Sequence, residues 1–427
     1  MSEQAVLLPA QDAMGFYSVW AFLGCMVLLF LAASTPALRG ADTAPNPHGV
    51  RVSSIDGLRG ILALAVFFHH TAVTHQYWQS GVWTETPSRF YNLLGQVAVA
   101  VFFMITGYLF WGKLIKEQGK PNWLKLYTGR LFRIAPLYGC AVLWLLVLVA
   151  FKTNLTLCQP ALQVANEVAR WFTLGLAAPD VNAYRHTATL MAAVSWTLRY
   201  EWFFYGSLIL TAFWVRRRPG HLVFTVICLT LVGLYVLLYV HAEKTAPWPI
   251  CVELFLIGML CASLKPIGSQ RRLPNWLSST FVALGAAALF LRFNNANTFV
   301  PVLLLGVGFF LVVSGCDLFG LLVSRPARRL GDVSYGIYLL HGLILTCIFS
   351  SYRMRTFALY SAVNHWLVVT VTALAVIVVA TVAHVFVERP GIELGKRAAV
   401  RLESALGGFR RKEQPKPATA KAFTAHK

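Results

Sequence analysis

A chain of 427 residues that is 57% hydrophobic and only 13% charged falls far below the roughly 25% charge of soluble domains. Its mean hydropathy is +0.61, and its apolar blocks are long enough to cross a bilayer as helix, about 20 residues each, which excludes a soluble enzyme. The blocks are continuous and do not alternate, which excludes a closed β-barrel.

The expected fold class is therefore all-α: a polytopic transmembrane helical bundle of about eleven helices. In chain order the predicted spans lie near 15–36, 56–74, 91–113, 133–152, 194–215, 221–240, 249–264, 277–293, 298–317, 333–350 and 363–387. The first reads as a retained helix. Ala32-Ala33-Ser34 is small enough for signal cleavage, but the segment before the span carries Glu3 and Asp12 with no basic residue, and the apolar run is long. Three regions follow: an extra N-terminal helix and connection (1–45), a membrane core (46–395) and a basic, disordered cytoplasmic tail (396–427). The longest outward connection, about 153–193, contains an apolar stretch at Val168–Ala178 that suits the interface or a re-entrant segment.

A net charge of +20 would suit nucleic acid, but its placement points elsewhere. Lysines and arginines gather in alternate connections, at Lys113–Arg133, Arg216–Arg218, Lys265–Arg272 and Arg325–Arg329, whereas 241–248 and 293–297 are poor in them. That is the positive-inside pattern, with the N-terminus outside and the tail cytoplasmic. The bilayer is the expected partner, and nucleic acid is not. Only Cys158 of eight cysteines falls in an outward loop, and no CxxC pair occurs, so no disulfide framework or metal site is indicated.

Ionisable residues inside spans are costly and are read as functional by default. In IDGLRGILALAVFFHH (55–70), Arg59 and His70 are eleven positions apart, about three turns and roughly 16 Å along nearly one helix face. Asp56 is close to that face and also suits a helix cap, while His69 is rotated away from it. The fifth span enters from outside, placing Glu201 about two turns in and Tyr205 one turn beyond on the same face, with Arg199 as a structural partner for the carboxylate. In GDVSYGIYLLH (331–341), Ser334, Tyr338 and His341 share a face. Arg130 and Arg133, at i and i+3 before the fourth span, suit phosphate through forked hydrogen bonds, although juxtamembrane arginines commonly serve topology alone.

These segments, together with VFFMITGYLF, GRLFRIAP, SWTLRYEWFFY, ELFLIGML and FVERP in this order, resemble the acyltransferase-3 family of integral-membrane acyltransferases. The resemblance covers about residues 53 to 391. It implies a ten-helix core in a bacterial plasma membrane that takes an acyl group, commonly acetyl, from cytoplasmic acetyl-CoA and delivers it to an acceptor outside. No tightly bound cofactor is implied; acyl-CoA is a substrate. By the resemblance, Arg59, His70, Glu201 and His341 are catalytic. Arg130, Arg133, Ser195, Tyr338 and Glu388 are implied to bind substrates, and Asp56 and Tyr205, read from their helix faces, are expected to do so too. The first helix is additional to that core, and no hydrolase-like domain follows it.

The expected function is O-acylation of a cell-surface or exported glycan or lipid-linked saccharide. His70 acts as general base or transient acyl carrier, and Glu201 orients it. Two alternatives stand beside it: acylation of a small molecule or glycolipid, and a proton-coupled transporter. Paired cytoplasmic arginines facing a deep histidine favour the enzyme, since a carrier has no use for CoA-phosphate ligands. The oligomeric state is not legible in the sequence.

Overall fold

The computed structural model describes residues 15–41, 53–216, 219–240, 248–268 and 273–412. Each predicted span coincides with a helix, and no β-strand occurs among the described residues. The helices are α1 (Val19–Ser34), α2 (Ser53–Ser80), α3 (Arg89–Lys116), α4 (Trp123–Lys152), α5 (Ala161–Trp171) and α6 (Trp196–Val215). They continue with α7 (Gly220–Tyr235), α8 (Trp248–Gly268), α9 (Asn275–Arg292), α10 (Phe299–Val313), α11 (Arg325–Asp332) and α12 (Ser334–Ser350). The chain closes with α13 (Tyr352–Tyr360), α14 (Ala362–Ala383) and α15 (Arg389–Lys412). Six helical stretches among the described residues are long and apolar enough to cross a membrane, and a seventh is formed if α11 and α12, bent by 68°, are one span. The α1 and α10 helices are apolar but shorter.

Small residues set the central contacts. A Cβ on Gly107 of α3 would overlap the Phe255 carbonyl of α8, and one on Gly258 of α8 would overlap that of Met104. Gly57 and Gly60 of α2 meet α11 and the turn before it, while Gly331 meets the Asp56 carbonyl. Between membrane helices, where lipid removes most of the hydrophobic drive, such close backbone approach supplies dispersion and fixes the crossings. Side-chain caps start several helices: Ser88 accepts from Tyr91 N, Asn122 from Lys125 N, Ser324 from Ala327 N and Ser361 from Asn364 N.

The first helix is no accessory. Phe22, Leu29 and Ala33 are buried, Phe22 packs edge-on against Phe68 of α2, and Arg329 of α11 donates to the carbonyls of Ala33 and Thr35. Arg329 therefore has a structural duty beyond its part in the charge pattern. The tail reading also changes. Residues 396–412, expected to be unstructured, continue α15 as far as Lys412, and 413–427 lie outside the described residues. In the long connection, the stretch expected to be interfacial or re-entrant ends α5 and then turns, with the Trp171 indole donating to the Pro179 carbonyl.

Candidate active site

Three helices run side by side through two adjoining cavities. Along α2 the side chains of interest are Arg59 and then His70; along α12 they are Ser334, Tyr338 and His341. The α3 helix passes Asn92 and Gln96 first, then Val99 and Phe103, then Thr106 and Phe110. The 3–4 spacing of each set places it on one helical face.

The first cavity is lined by Arg59, Arg130, Arg133, Glu201, Tyr205 and Ser334 among others, with Phe102, Phe103 and Phe110 forming an aromatic wall. The Arg130 guanidinium lies over the Phe110 ring, 4.3 Å from its centroid, an arrangement that suits a planar, weakly hydrated cation. Glu201 accepts a 2.5 Å hydrogen bond from the Tyr205 hydroxyl one turn along α6. Three guanidiniums beside one carboxylate leave the cavity positive, as an anion site requires. Arg133 is steadied from outside the cavity. Its Nε lies 3.8 Å from Glu388 Oε1, and the other Glu388 oxygen meets His384 Nδ1 at 2.8 Å.

The second cavity is lined by Val66, His69, His70, Asn92, Gln96 and Trp196 among others, with exposed Glu85 at its mouth. Its histidines have tautomers dictated by their neighbours. A carbonyl oxygen only accepts, so His341 Nδ1, 3.0 Å from the Ile337 carbonyl, carries a proton, and neutral His341 then offers Nε2 as an acceptor. His70 Nδ1 lies 3.0 Å from the Val66 carbonyl and 3.1 Å from His341 Nε2, and donates toward both. The proton placement follows from this network. It leaves His70 Nε2 as an unprotonated nitrogen, with no hydrogen-bond partner among the described residues. His69 Nδ1 likewise donates to the Tyr91 carbonyl at 2.9 Å, but no second histidine backs it.

The two cavities meet at Tyr338, Val99 and Phe103, which line both. The Tyr338 hydroxyl donates to the Val194 carbonyl at 3.2 Å and lies 2.9 Å from Thr197 Oγ1. A held tyrosine thus stands between the arginines and the histidines.

The structure sorts the expected residues. Arg59, Arg130, Arg133, Glu201, Tyr205 and Tyr338 share the first cavity, His70 lines the second, and fully buried His341 sits behind His70. Asp56, Ser195 and Glu388 line neither cavity: Ser195 is buried at the start of α6, and Glu388 supports Arg133 from behind. Glu201 makes no hydrogen bond with His70 or His341; its side chain faces the arginines, and its partner is Tyr205, with Arg199 exposed. The side chain within hydrogen-bond distance of His70 is His341. Thr197, Tyr335, Asn92 and Gln96 also line the cavities and were not singled out from the sequence. Asn92 and Gln96 did leave a signal, two amides one turn apart in an apolar span. Among the described residues no group of three or more His, Cys, Asp or Glu is placed to hold a metal.

The acyltransferase-domain family matches residues 52–384. The acyltransferase MdmB of Streptomyces mycarofaciens is 27% identical over 397 residues, 83% of this chain and 95% of that protein. Nodulation protein 10 of Rhizobium leguminosarum bv. viciae is 26% identical over 377 residues, 80% of this chain and 94% of that one. A Staphylococcus aureus (strain COL) protein provisionally named an O-acetyltransferase is 24% identical over 338 residues, 70% of this chain and 52% of that protein. No solved structure matches significantly.

Proposed function

Since this chain belongs to the acyltransferase-3 family of membrane acyltransferases, we propose that it moves an acyl group, acetyl by preference, from cytoplasmic acyl-CoA to a hydroxyl of a cell-surface or exported glycan. The single observation behind this reading is the pair of cavities meeting at Tyr338, one walled by arginines and the other by a backed histidine. The positive-inside charge pattern supports an arginine end at the cytoplasm, with the N-terminus outside and the tail inside, and the membrane in this reading is a bacterial plasma membrane. The provisional name of the Staphylococcus aureus relative supports acetyl as the group carried.

In this reading Arg59, Arg130 and Arg133 take the CoA phosphates through charge-assisted, forked hydrogen bonds. The pantetheine arm passes Tyr338 and brings the thioester roughly 16 Å further along α2, to the level of His70. The acceptor hydroxyl enters from the mouth near Glu85 and Asn92. As its oxygen attacks the thioester carbonyl, His70 Nε2 takes the hydroxyl proton. The C–S bond then breaks, and the same nitrogen returns the proton to the leaving thiolate. During the step the cationic His70 ring is stabilised by donating Nδ1–H to His341 Nε2 and to the Val66 carbonyl. This is the orienting role that a carboxylate fills in serine-protease triads.

The test is chemical. Surface glycans from parent and deletion strains are compared by mass for loss of an acetyl increment, and the purified protein is assayed for release of CoA thiol from acetyl-CoA with that glycan present. Unaltered glycans together with no acceptor-dependent thiol release refute the proposal. Thiol release with a small hydroxylated acceptor in place of the glycan moves the acceptor class to small molecules.

A further inference from the structure

A third cavity lies beside α8, on a face rotated roughly 90° from the one that lines the histidine cavity. It is a groove between α7, α8 and α10, walled by Leu234, Ile257, Leu264, Leu303 and Phe310. Among the described residues its single carboxyl is that of Glu253, near the start of α8, and no lysine, arginine or histidine lines it. Glu253 is only 7% exposed, and none of the hydrogen bonds or ion pairs of the described residues involves it. Gly233 of α7 keeps the space before it open: a Cβ there would stand 3.5 Å from Glu253 Oε1.

A buried carboxyl without a partner is costly, so the groove calls for a ligand that supplies a hydrogen-bond donor at this end. The remainder calls for hydrocarbon. From Glu253 to Leu264 the groove follows α8 for eleven residues, roughly 16 Å, about one leaflet of a bilayer whose apolar core is roughly 30 Å thick. With no lysine or arginine in the wall, a phosphate headgroup would face the carboxyl unpaired, and like charge together with desolvation disfavours it.

We propose that this groove is a binding site for a neutral lipid, one hydrocarbon chain lying along α8 and α10 and a headgroup hydroxyl donating to Glu253. The site is separate from the acyl-transfer cavities. The groove and the histidine cavity share no lining residue: on α8, Ile250, Cys251 and Leu254 line the histidine cavity, and Glu253, Ile257 and Leu264 line the groove.

The experiment uses the full-length protein in detergent and two photoreactive probes of equal chain length, an alkyl maltoside and an alkyl phosphate. Crosslinked peptides are mapped by mass spectrometry. The expected result is saturable labelling of α7, α8 and α10 by the maltoside and weak labelling by the phosphate. Glu253→Leu is expected to weaken maltoside labelling by about tenfold, as loss of one buried hydrogen bond implies, while Glu253→Gln, whose amide oxygen still accepts, retains it. Gly233→Leu, which fills the space before the carboxyl, is expected to behave like Glu253→Leu. Equal labelling by both probes, unchanged labelling in Glu253→Leu, or no saturable labelling of the parent overturns the proposal. Loss in Glu253→Gln equal to that in Glu253→Leu also overturns it, because the site then requires a charge. Acetyl-CoA binding, measured on the same samples, reports on folding and on the donor site. Its failure in the parent would refute the acyl-CoA reading and leave the lipid result standing.

Discussion

His341 Nε2 lies 3.1 Å from His70 Nδ1, across 271 positions of sequence, and His341 is wholly buried while His70 faces the cavity. In the proposed mechanism one histidine is the reacting surface and the other its support. A ranking of three histidines follows. His70→Ala is expected to abolish transfer, a loss of about 10²–10⁴ in rate for removal of a general base. His341→Phe removes one acceptor for the cationic ring while the Val66 carbonyl remains, so a loss of about ten- to a hundredfold is expected, corresponding to a charge-assisted hydrogen bond of about 1.5–3 kcal/mol. His69→Ala should be mildest. Rates of acetyl transfer by purified, folded variants check the order, and parental activity in His70→Ala would sink the mechanism.

In the proposed reading the arginine pair governs the donor. Arg130→Ala and Arg133→Ala are each expected to weaken acyl-CoA binding by about 1.5–3 kcal/mol, while acceptor affinity stays close to parental. Calorimetric titration with acetyl-CoA measures this. An unchanged dissociation constant in the double variant would return both residues to a purely topological role.

Tyr338 borders both cavities, and the proposed mechanism has it divide binding from transfer. Tyr338→Phe keeps the ring and loses the contacts to Val194 and Thr197, so a small loss in rate is expected. Tyr338→Trp narrows the junction and should lower kcat strongly while acetyl-CoA still binds at the arginines. If Tyr338→Trp instead raised KM for acetyl-CoA with kcat intact, the thioester would not pass this point.

Deleting residues 1–41 removes α1. The edge-on contact of Phe22 with Phe68 disappears, and Arg329 loses the two carbonyls to which it donates. Losing charge-assisted hydrogen bonds at a buried guanidinium is destabilising, by about 1.5–3 kcal/mol each. A lower melting temperature in detergent is therefore expected. A truncated protein as stable as the parent would show that α1 is only attached to the core.

Much of the fold was legible because it is local. An apolar run of span length has few options in a bilayer other than helix. The spacings Arg59 to His70 and Ser334 to Tyr338 to His341 are properties of a single helix, fully set by its 3.6-residue period. Which helices those faces meet is not local. His341 backs His70 across two helices, and Glu388 stands behind Arg133 where Gly391 and Gly395 let the last helix approach Phe132 and Pro136. Those crossings depend on the shapes of side chains far apart in the chain. No periodicity encodes them, so the identity and spacing of the reactive groups belong to the sequence and their pairing to the packed bundle.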